Sequence, residues 1–400
     1  GQAPAAAVAQ PAPAAAKPAS EYKVKAIALQ PGDTCGPQGR FVVLDPLGEG
    51  QYSTVWRCSD AFSPVGAEYA LKVTRQNEKT RRALEREIKL MGHLGTRGGQ
   101  WDKEGARCLL CLAFPEGFDC KGHLAIVFES MKYNLLTALK RHGGGKGLPL
   151  LPTVRNFAKN IFLALRCLRQ SGLVHCDVKP ENLLLAKDNE TLKLSDFGCT
   201  LTLAECEKVT TDNMMPRFYR APEIILGQPF GTAIDMWSAG ATLYELATGR
   251  ILLQGESNNG MLHEMMVVCG PCPPHVATAG RHASRYFMRS AAGGQYFMRD
   301  TGPALNPDSQ EALPLASFEP PRRAVSGQLR ELLRDPPPDV PRERHELYVP
   351  HLGELIRDCL VLDQAARATP DKALGHRFFQ KQAGDALADL VWLWSNTETS

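Results

Sequence analysis

His175-Cys-Asp-Val-Lys-Pro-Glu-Asn182, followed closely by Asp196-Phe-Gly198, decides how this chain reads. Asp177 is a carboxylate that can orient a substrate hydroxyl and take its proton, and Lys179 puts a positive charge two residues on, where a migrating phosphoryl group needs one. Asn182 and Asp196 offer hard oxygen ligands of the kind Mg²⁺ prefers. Each residue alone has an ordinary structural role; an Asp before Lys-Pro is commonly a turn residue. In this order and at this spacing they form the parts list of a phosphoryl-transfer site. His175 and Phe197 read as packing residues that hold the frame.

Two further features agree with that chemistry. Leu47-Gly-Glu-Gly-Gln-Tyr-Ser-Thr-Val55 is a glycine-containing strand turn. Gly48 and Gly50 let backbone N–H groups approach the phosphates of ATP, while Leu47 and Val55 supply apolar cover for the base. Downstream, Tyr69-Ala-Leu-Lys-Val73 places Lys72 inside an apolar strand. A buried ammonium needs an anionic partner; Glu87 is the first candidate in the helical stretch that follows, and Glu85, on a different helix face, is the competitor. Phe128-Glu-Ser-Met131 reads as the crossing between two lobes, with Phe128 at the back of a nucleotide pocket and the backbone of Glu129 to Met131 against the adenine edge.

The composition sets few limits. The 400 residues, 44% hydrophobic and 22% charged, suffice to bury a substantial core. A net charge of +3 gives no case for a direct nucleic-acid site. No uncharged apolar run has the length of a membrane span; the stretch from Ile224 to Leu246 is interrupted by Pro229 and Asp235. No secretory signal is evident, and the start at Gly1 suggests a piece of a longer chain. Twelve cysteines are numerous, but a core-rich chain that uses ATP implies a reducing compartment and free thiols. Cys269-Gly-Pro-Cys272 copies a redox spacing, yet Pro273-Pro274 follows and the helical pattern precedes it, so a helix-ending turn is expected. Cys108-Leu-Leu-Cys111 reads as strand rather than half a zinc site.

Along the chain, the first twenty residues are almost all Ala, Pro and Gln, a linker composition. Strands are expected at Phe41–Leu44, Ser53–Trp56, Tyr69–Val73, Leu109–Phe114 and His123–Phe128, with a helix over Lys79–Leu94 and a polar loop from Gly95 to Gly105. Helices are expected at Val154–Ser171, Ala233–Thr248 and His351–Leu362. Tyr286-Phe-Met-Arg289 and Tyr296-Phe-Met-Arg299 form a local echo, read as a hairpin, with an alternative docking surface on Arg281, Arg285, Arg289 and Arg299. A buried pair is expected between Glu223 and Arg367, and Asp235 is expected to anchor the His175 loop backbone.

These motifs resemble those of eukaryotic protein kinases over Phe41 to Phe379. Arg217-Phe-Tyr-Arg-Ala-Pro-Glu223 looks like the group that holds cyclin-dependent and mitogen-activated kinases, and His175-Cys-Asp177 with Phe128 looks like the dual-specificity tyrosine-regulated kinases. Arg217 to Ile225, Ile234 to Leu246 and Ser257 to Leu262 are similar to the pre-mRNA-processing-factor-four kinases. The resemblance implies an α+β, bilobal protein-kinase fold, with a small antiparallel β-sheet lobe carrying one helix and a larger, mainly helical lobe. Composition and the resemblance together give the expected layout: a disordered Ala/Pro-rich linker at 1–34, the N-lobe at 35–128, the C-lobe at 129–380 with an irregular insert at about 270–350, and a tail at 381–400.

The same resemblance implies a serine/threonine kinase that uses ATP and Mg²⁺ on protein substrates, specifically spliceosomal ones. It also implies a soluble monomer located in the nucleus, and adds Ala70 and Leu184 to the nucleotide contacts. The alternative is a weakly active or inactive kinase-fold scaffold in a splicing complex. Two departures feed it. Asn213 stands where relatives carry an autophosphorylated tyrosine that Arg217 and Arg220 would grip, so the loop is either ordered without phosphate, with Asp212 near, or looser. Pro216 stands where relatives have a Ser or Thr hydroxyl bonding the catalytic aspartate and lysine. Cys176 replaces an arginine that reads loop phosphorylation in many kinases. Arg220 also points to tolerance for proline after the phosphorylated residue. Cys199 is either a modifiable thiol beside the nucleotide or a buried inert one.

Overall fold

Alternating burial builds the first part of the chain. In Glu68–Thr74, Leu71 and Val73 are fully buried while Ala70 and Lys72 are partly open, the period of two that a pleated strand imposes. The computed structural model describes residues 27–50, 53–63, 66–75, 77–96, 103–114, 116–149, 153–209, 214–289, 296–299, 312–321, 323–336 and 341–380. It divides into two compact units, one made of residues 1–85 and 116–127, the other of residues 86–115 and 128–400.

The first unit is a six-stranded sheet. Its strands are β1 (Thr34–Cys35), β2 (Phe41–Glu49), β3 (Ser53–Asp60), β4 (Glu68–Thr74), β5 (Phe118–Cys120) and β6 (His123–Glu129, the last two residues of which fall in the second unit), in the order β1-β2-β3-β4-β6-β5. The β1–β2, β2–β3, β3–β4 and β5–β6 pairs are antiparallel. Helix α1 (Glu78–Thr96) follows β4, and the division into units falls within it, after Glu85. The two strands at the ends of the sheet order are joined by a disulfide between Cys35 and Cys120. Phe41 stacks on Phe118 at 5.5 Å beside it, and Lys121 pairs with Asp33 at 2.8 Å. The disulfide corrects the expectation that all thiols are free: residues 85 apart in sequence, on strands at opposite ends of the sheet order, have Cα atoms 5.2 Å apart because the sheet curls until its two edges meet.

The second unit is mainly helical. The helix Ala233–Thr248 is buried on every side, which its apolar, nearly uncharged sequence permits. Arg155–Gln170 is amphipathic and packs Phe157, Ile161, Phe162 and Leu165 inward. Short hairpin strands Leu183–Leu185 and Leu192–Leu194 pair antiparallel, and Leu201–Thr202 pairs with Leu173–Val174.

Several local expectations needed correction. The strand foreseen at Leu109–Phe114 is only two isolated bridges, Leu109 to Leu194 and Leu112 to Phe128, and a short helix, Lys103–Arg107, occupies part of the expected polar loop. The stretch from Gly270 to Pro350 holds helices at Pro274–Thr278, Ala283–Tyr286 and Val325–Leu332. The helix foreseen at His351 begins at Arg342 and ends at Cys359, with Pro350 inside it. Pro350 therefore does not mark a boundary. The echo pairs as Phe287–Arg289 with Tyr296–Arg299, antiparallel, but Tyr286 closes the preceding helix. Cys269 ends the helix Asn258–Cys269, as the turn reading of that pair requires. Asp212, Asn213 and residues 1–26 and 381–400 lie outside the described residues.

Candidate active site

In the first unit, Gly48, Val55 and Lys72 face one another across three strands: Gly48 pairs with Val55 in the β2–β3 register and Val55 with Lys72 in the β3–β4 register. Ala70 lies two residues from Lys72 and so on the same face, opposite the buried Leu71 and Val73. One face of β2–β4 thus carries a glycine, two small apolar groups and a cation in a row. The turn at its end is fixed by Gly50 N–H donating to Ser53 O at 2.8 Å and by Arg75, which bonds Glu49 at 2.6 Å and Gly50 O at 3.1 Å. Nothing lies where a Cβ on Gly48 would project, and Leu47 is 53% exposed, so this face is open above the turn.

The two candidate glutamates of helix α1 differ in burial. Glu85 is part exposed and bonds Arg81 at 3.1 Å on the helix surface. Glu87 is buried. Only Glu87 has the burial that an internal ion-pair partner requires.

The second unit assembles the residues of the His175 loop. The Lys179 ammonium donates to both oxygens of Asp177, at 3.0 and 2.9 Å. The Asn182 amide Nδ2 donates to Asp177 Oδ2 at 2.7 Å and to Asp177 O at 2.8 Å. Asp177 Oδ1 therefore carries one donor where Oδ2 carries two. With Nδ2 committed, the Asn182 carbonyl oxygen faces away from Asp177, available to a hard cation. Asp196, itself in the left-handed region at φ 63°, is exposed.

Other side chains hold this loop in shape. Cys176 has φ 67°, a costly conformation for a residue with a Cβ. It is held there by Asp235, whose carboxylate takes the N–H groups of His175 at 2.7 Å and Cys176 at 2.9 Å. His175 accepts the Asp177 N–H through Nδ1 at 3.2 Å and donates from Nε2 to Ser195 O at 3.0 Å, which defines a neutral tautomer. Its ring meets Phe197 edge to face at 5.4 Å. Burial pushes the Asp235 carboxyl up despite those two N–H donors.

The remaining nucleotide candidates are Phe128, Glu129, Met131 and Leu184. Phe128 is buried, whereas Glu129 and Met131 are partly open. Glu129 pairs with Lys193 at 2.6 Å, so its side chain is engaged and its backbone is the part left for a ligand. Leu184 sits opposite Lys193 and Asn134 in the small sheet.

Arg220 lies elsewhere than the sequence suggested, and Cys199 does not take the buried one of its two expected settings. Arg220 is buried, and its guanidinium is spent on Met214 O at 3.1 Å, Met215 O at 2.9 Å and Asn258 at 2.8 Å. It does not reach for a phosphate. Met215 has φ 72°, with its carbonyl turned to Arg220. Cys199 is exposed rather than buried. Desolvation of its sulfur and then the carboxylates of Asp177 and Asp196 push the thiol up to about 11, and because the residue is exposed the charges are the firmer cause. It is a weak nucleophile at neutral pH. Thr202 and Glu205 were overlooked, although Thr-x-x-Glu is a legible capping-box signature.

The Glu223–Arg367 pair is present, at 2.6 and 2.9 Å, with both side chains buried. Arg367 also lies over the Trp237 ring at 5.2 Å. Nearby, Tyr219 donates to Glu245 at 2.6 Å, and burial pushes the Glu245 carboxyl up to about 7.

The model of the protein kinase domain family matches residues 41–379. The chain is similar to serine/threonine-protein kinase prp4 of Schizosaccharomyces pombe, with 32% identity over 345 residues, 86% of this chain and 67% of that protein. It is 28% identical over 341 residues to serine/threonine-protein kinase prpf4B of Dictyostelium discoideum, covering 85% of this chain and 40% of the other. It is 31% identical over 351 residues to dual specificity tyrosine-phosphorylation-regulated kinase mbk-2 of Caenorhabditis elegans, 86% and 39% respectively. The chain therefore spans about two thirds of the first relative's length and about two fifths of the others'.

Proposed function

The chain belongs to the protein kinase domain family as a serine/threonine kinase domain, and from that premise we propose that it transfers the γ-phosphoryl group of ATP to Ser or Thr of proteins that process pre-mRNA, in the nucleus. The observation that carries the chemistry is the Asp177 carboxylate, held by the Lys179 ammonium at 2.9 Å and the Asn182 amide at 2.7 Å. Two donors fix the plane of this carboxylate, so it accepts a substrate hydroxyl's proton without first reorganising. Oδ1, with the single donor, is the oxygen left for that hydroxyl. Lys179 faces the phosphoryl oxygens as the hydroxyl attacks and offsets their charge.

We assign the nucleotide contacts, as the family resemblance implies them, to Leu47, Gly48, Gly50, Val55, Ala70, Lys72, Phe128, Glu129, Met131 and Leu184. The donor set Asn182 and Asp196 fits Mg²⁺, because both present hard oxygens and the Asn182 amide nitrogen is already committed elsewhere. When bound, the ion neutralises the phosphates and orients them.

Substrate choice follows from Met215. Its carbonyl takes two donors from Arg220, Nη2 at 2.9 Å and Nε at 3.3 Å, so neither lone pair is left for an N–H from the residue after the phosphorylated one. Proline, which has no N–H, loses nothing there. A Ser-Pro or Thr-Pro preference is the outcome. The assignment to splicing proteins and to the nucleus is supported by the segments Arg217–Ile225, Ile234–Leu246 and Ser257–Leu262, similar to the pre-mRNA-processing-factor-four kinases. Of the two departures that feed the scaffold alternative, Pro216 lies among the described residues, while the retained Asp177, Lys179, Asn182 and Asp196 favour an active enzyme.

Transfer of radiolabel from ATP to a Ser-Pro peptide array, with Asp177→Asn as control, tests the activity and the preference together. A chain no more active than Asp177→Asn overturns the reading. Equal labelling of Ser-Pro and Ser-Ala peptides overturns the specificity alone.

A further inference from the structure

Helix α1 meets the segment after Asp196 through two consecutive residues. Arg86 Nη2 donates to Glu205 Oε2 at 2.6 Å. Glu87, the next residue, lies close enough to Cys199 to add to the charges that hold its thiol protonated. Glu205 is not a loose surface carboxylate. Its Oε2 also takes the Thr202 N–H at 2.8 Å and the Thr202 hydroxyl at 2.9 Å, while Thr202 Oγ1 accepts the Glu205 N–H at 3.3 Å. Thr202 in turn lies in the strand Leu201–Thr202, paired with Leu173–Val174 directly before His175, and Leu203 N–H donates to Gly172 O at 3.0 Å. A chain of bonded groups thus runs from the catalytic loop through Thr202 and Glu205 to Arg86.

Resting on the kinase reading above, we infer that Arg86 and Glu205 are positioning residues: their ion pair sets where helix α1 holds Glu87 relative to the Asp196–Cys199 turn, with no phosphate on the segment. The exposure of the two side chains, 37% and 41%, limits the strength of the effect. A half-exposed pair is worth little and is screened by salt, so it biases catalysis by about two- to fivefold rather than switching it. Thr202 and Glu205 keep their capping box whether or not Arg86 is engaged, which separates the two roles of Glu205 experimentally.

Glu205→Gln retains a box-forming side chain but removes the charge, Arg86→Gln removes the other partner, and Arg86→Lys keeps the cation. Phosphate-free chains, verified by mass, are compared in kcat, KM for ATP and Tm, and in hydrogen exchange over residues 199–206. Each Gln variant is expected to lower kcat about two- to fivefold with KM and Tm unchanged and exchange raised. The double Gln variant should lose no more than either single one, Arg86→Lys should regain at least half the rate, and 0.5 M NaCl (a condition at which the Debye length is roughly 4 Å) should bring the wild type down to the variants. Losses that multiply in the double variant, or single variants with unchanged kcat and exchange, overturn the inference. A wild type no more active than Asp177→Asn sinks the kinase reading instead, and the exchange comparison still decides whether the pair holds the segment.

Discussion

The Arg367 guanidinium and the Glu223 carboxylate meet through two hydrogen bonds, 2.6 and 2.9 Å long, in a place water does not reach. Arg367 spends its other donors on Val361 O at 2.9 Å and Ala233 O at 2.8 Å. Every polar atom of the pair is thereby used, the condition under which a buried ion pair is tolerated. Removing one member leaves the other charged and dry. Arg367→Ala should cost about 3–5 kcal/mol in unfolding free energy, and Arg367→Lys should recover little, because an ammonium cannot reproduce the two-pronged geometry. Denaturant titration of the variants measures both. A loss under 1 kcal/mol (about the worth of an exposed pair) would mean the site is wetter than described.

Asn182 joins two roles that separate on substitution. Its nitrogen orients Asp177, and its oxygen is the proposed Mg²⁺ ligand. Asn182→Ala should weaken Mg²⁺-dependent nucleotide uptake in calorimetry and also lower kcat. Asp177→Asn should lower kcat by about 100- to 10,000-fold while nucleotide uptake is kept. Equal uptake in Asn182→Ala and wild type would remove Asn182 from the metal set.

The site was legible where chemistry is written in residue type and spacing. Asp177, Lys179 and Asn182 lie within one turn of chain, so their meeting is a local event that the sequence almost spells out. Period-two burial likewise put Ala70 and Lys72 on one face of a strand. Contacts that depend on distant chain segments were harder. Arg220 read as a phosphate ligand because its charge is visible in sequence and Met215's turned carbonyl is not. Cys35 and Cys120 read as separate thiols because their strands lie at opposite ends of the sheet and meet only through its curl. Glu85 and Glu87 could not be told apart until the burial of each was known.

Pro216 caps the short helix Arg217–Tyr219 with φ −61° and ψ 137°, and its carbonyl accepts the Tyr219 N–H at 3.1 Å. A serine can adopt those angles without strain. Pro216→Ser is therefore expected to leave the local backbone alone and add a hydroxyl that relatives direct at the catalytic aspartate and lysine. One hydrogen bond to a charged group is worth about 1.5–3 kcal/mol, so kcat should rise by about tenfold or more. Steady-state rates of the two chains decide; an unchanged rate shows that the missing hydroxyl does not limit turnover.

Glu245 gives the pH dependence of stability its sign. The carboxyl is buried, it accepts the Tyr219 hydroxyl at 2.6 Å, and burial raises it from 4.5 to about 7, with Glu181 adding to the rise. A carboxyl raised in the folded state binds its proton more tightly there than in the unfolded chain. Its contribution is fully present below pH 4.5 and is lost as pH climbs through about 7. A shift of this size corresponds to about 3 kcal/mol. Glu245→Gln keeps an acceptor for Tyr219 and cannot ionise. The difference in unfolding free energy, variant minus wild type, should therefore grow in the variant's favour between pH 5 and pH 8 by about 2–3 kcal/mol, and titrating groups common to both chains cancel in that difference. Parallel pH profiles would show that Glu245 titrates normally and that its carboxylate finds more solvent than its burial indicates.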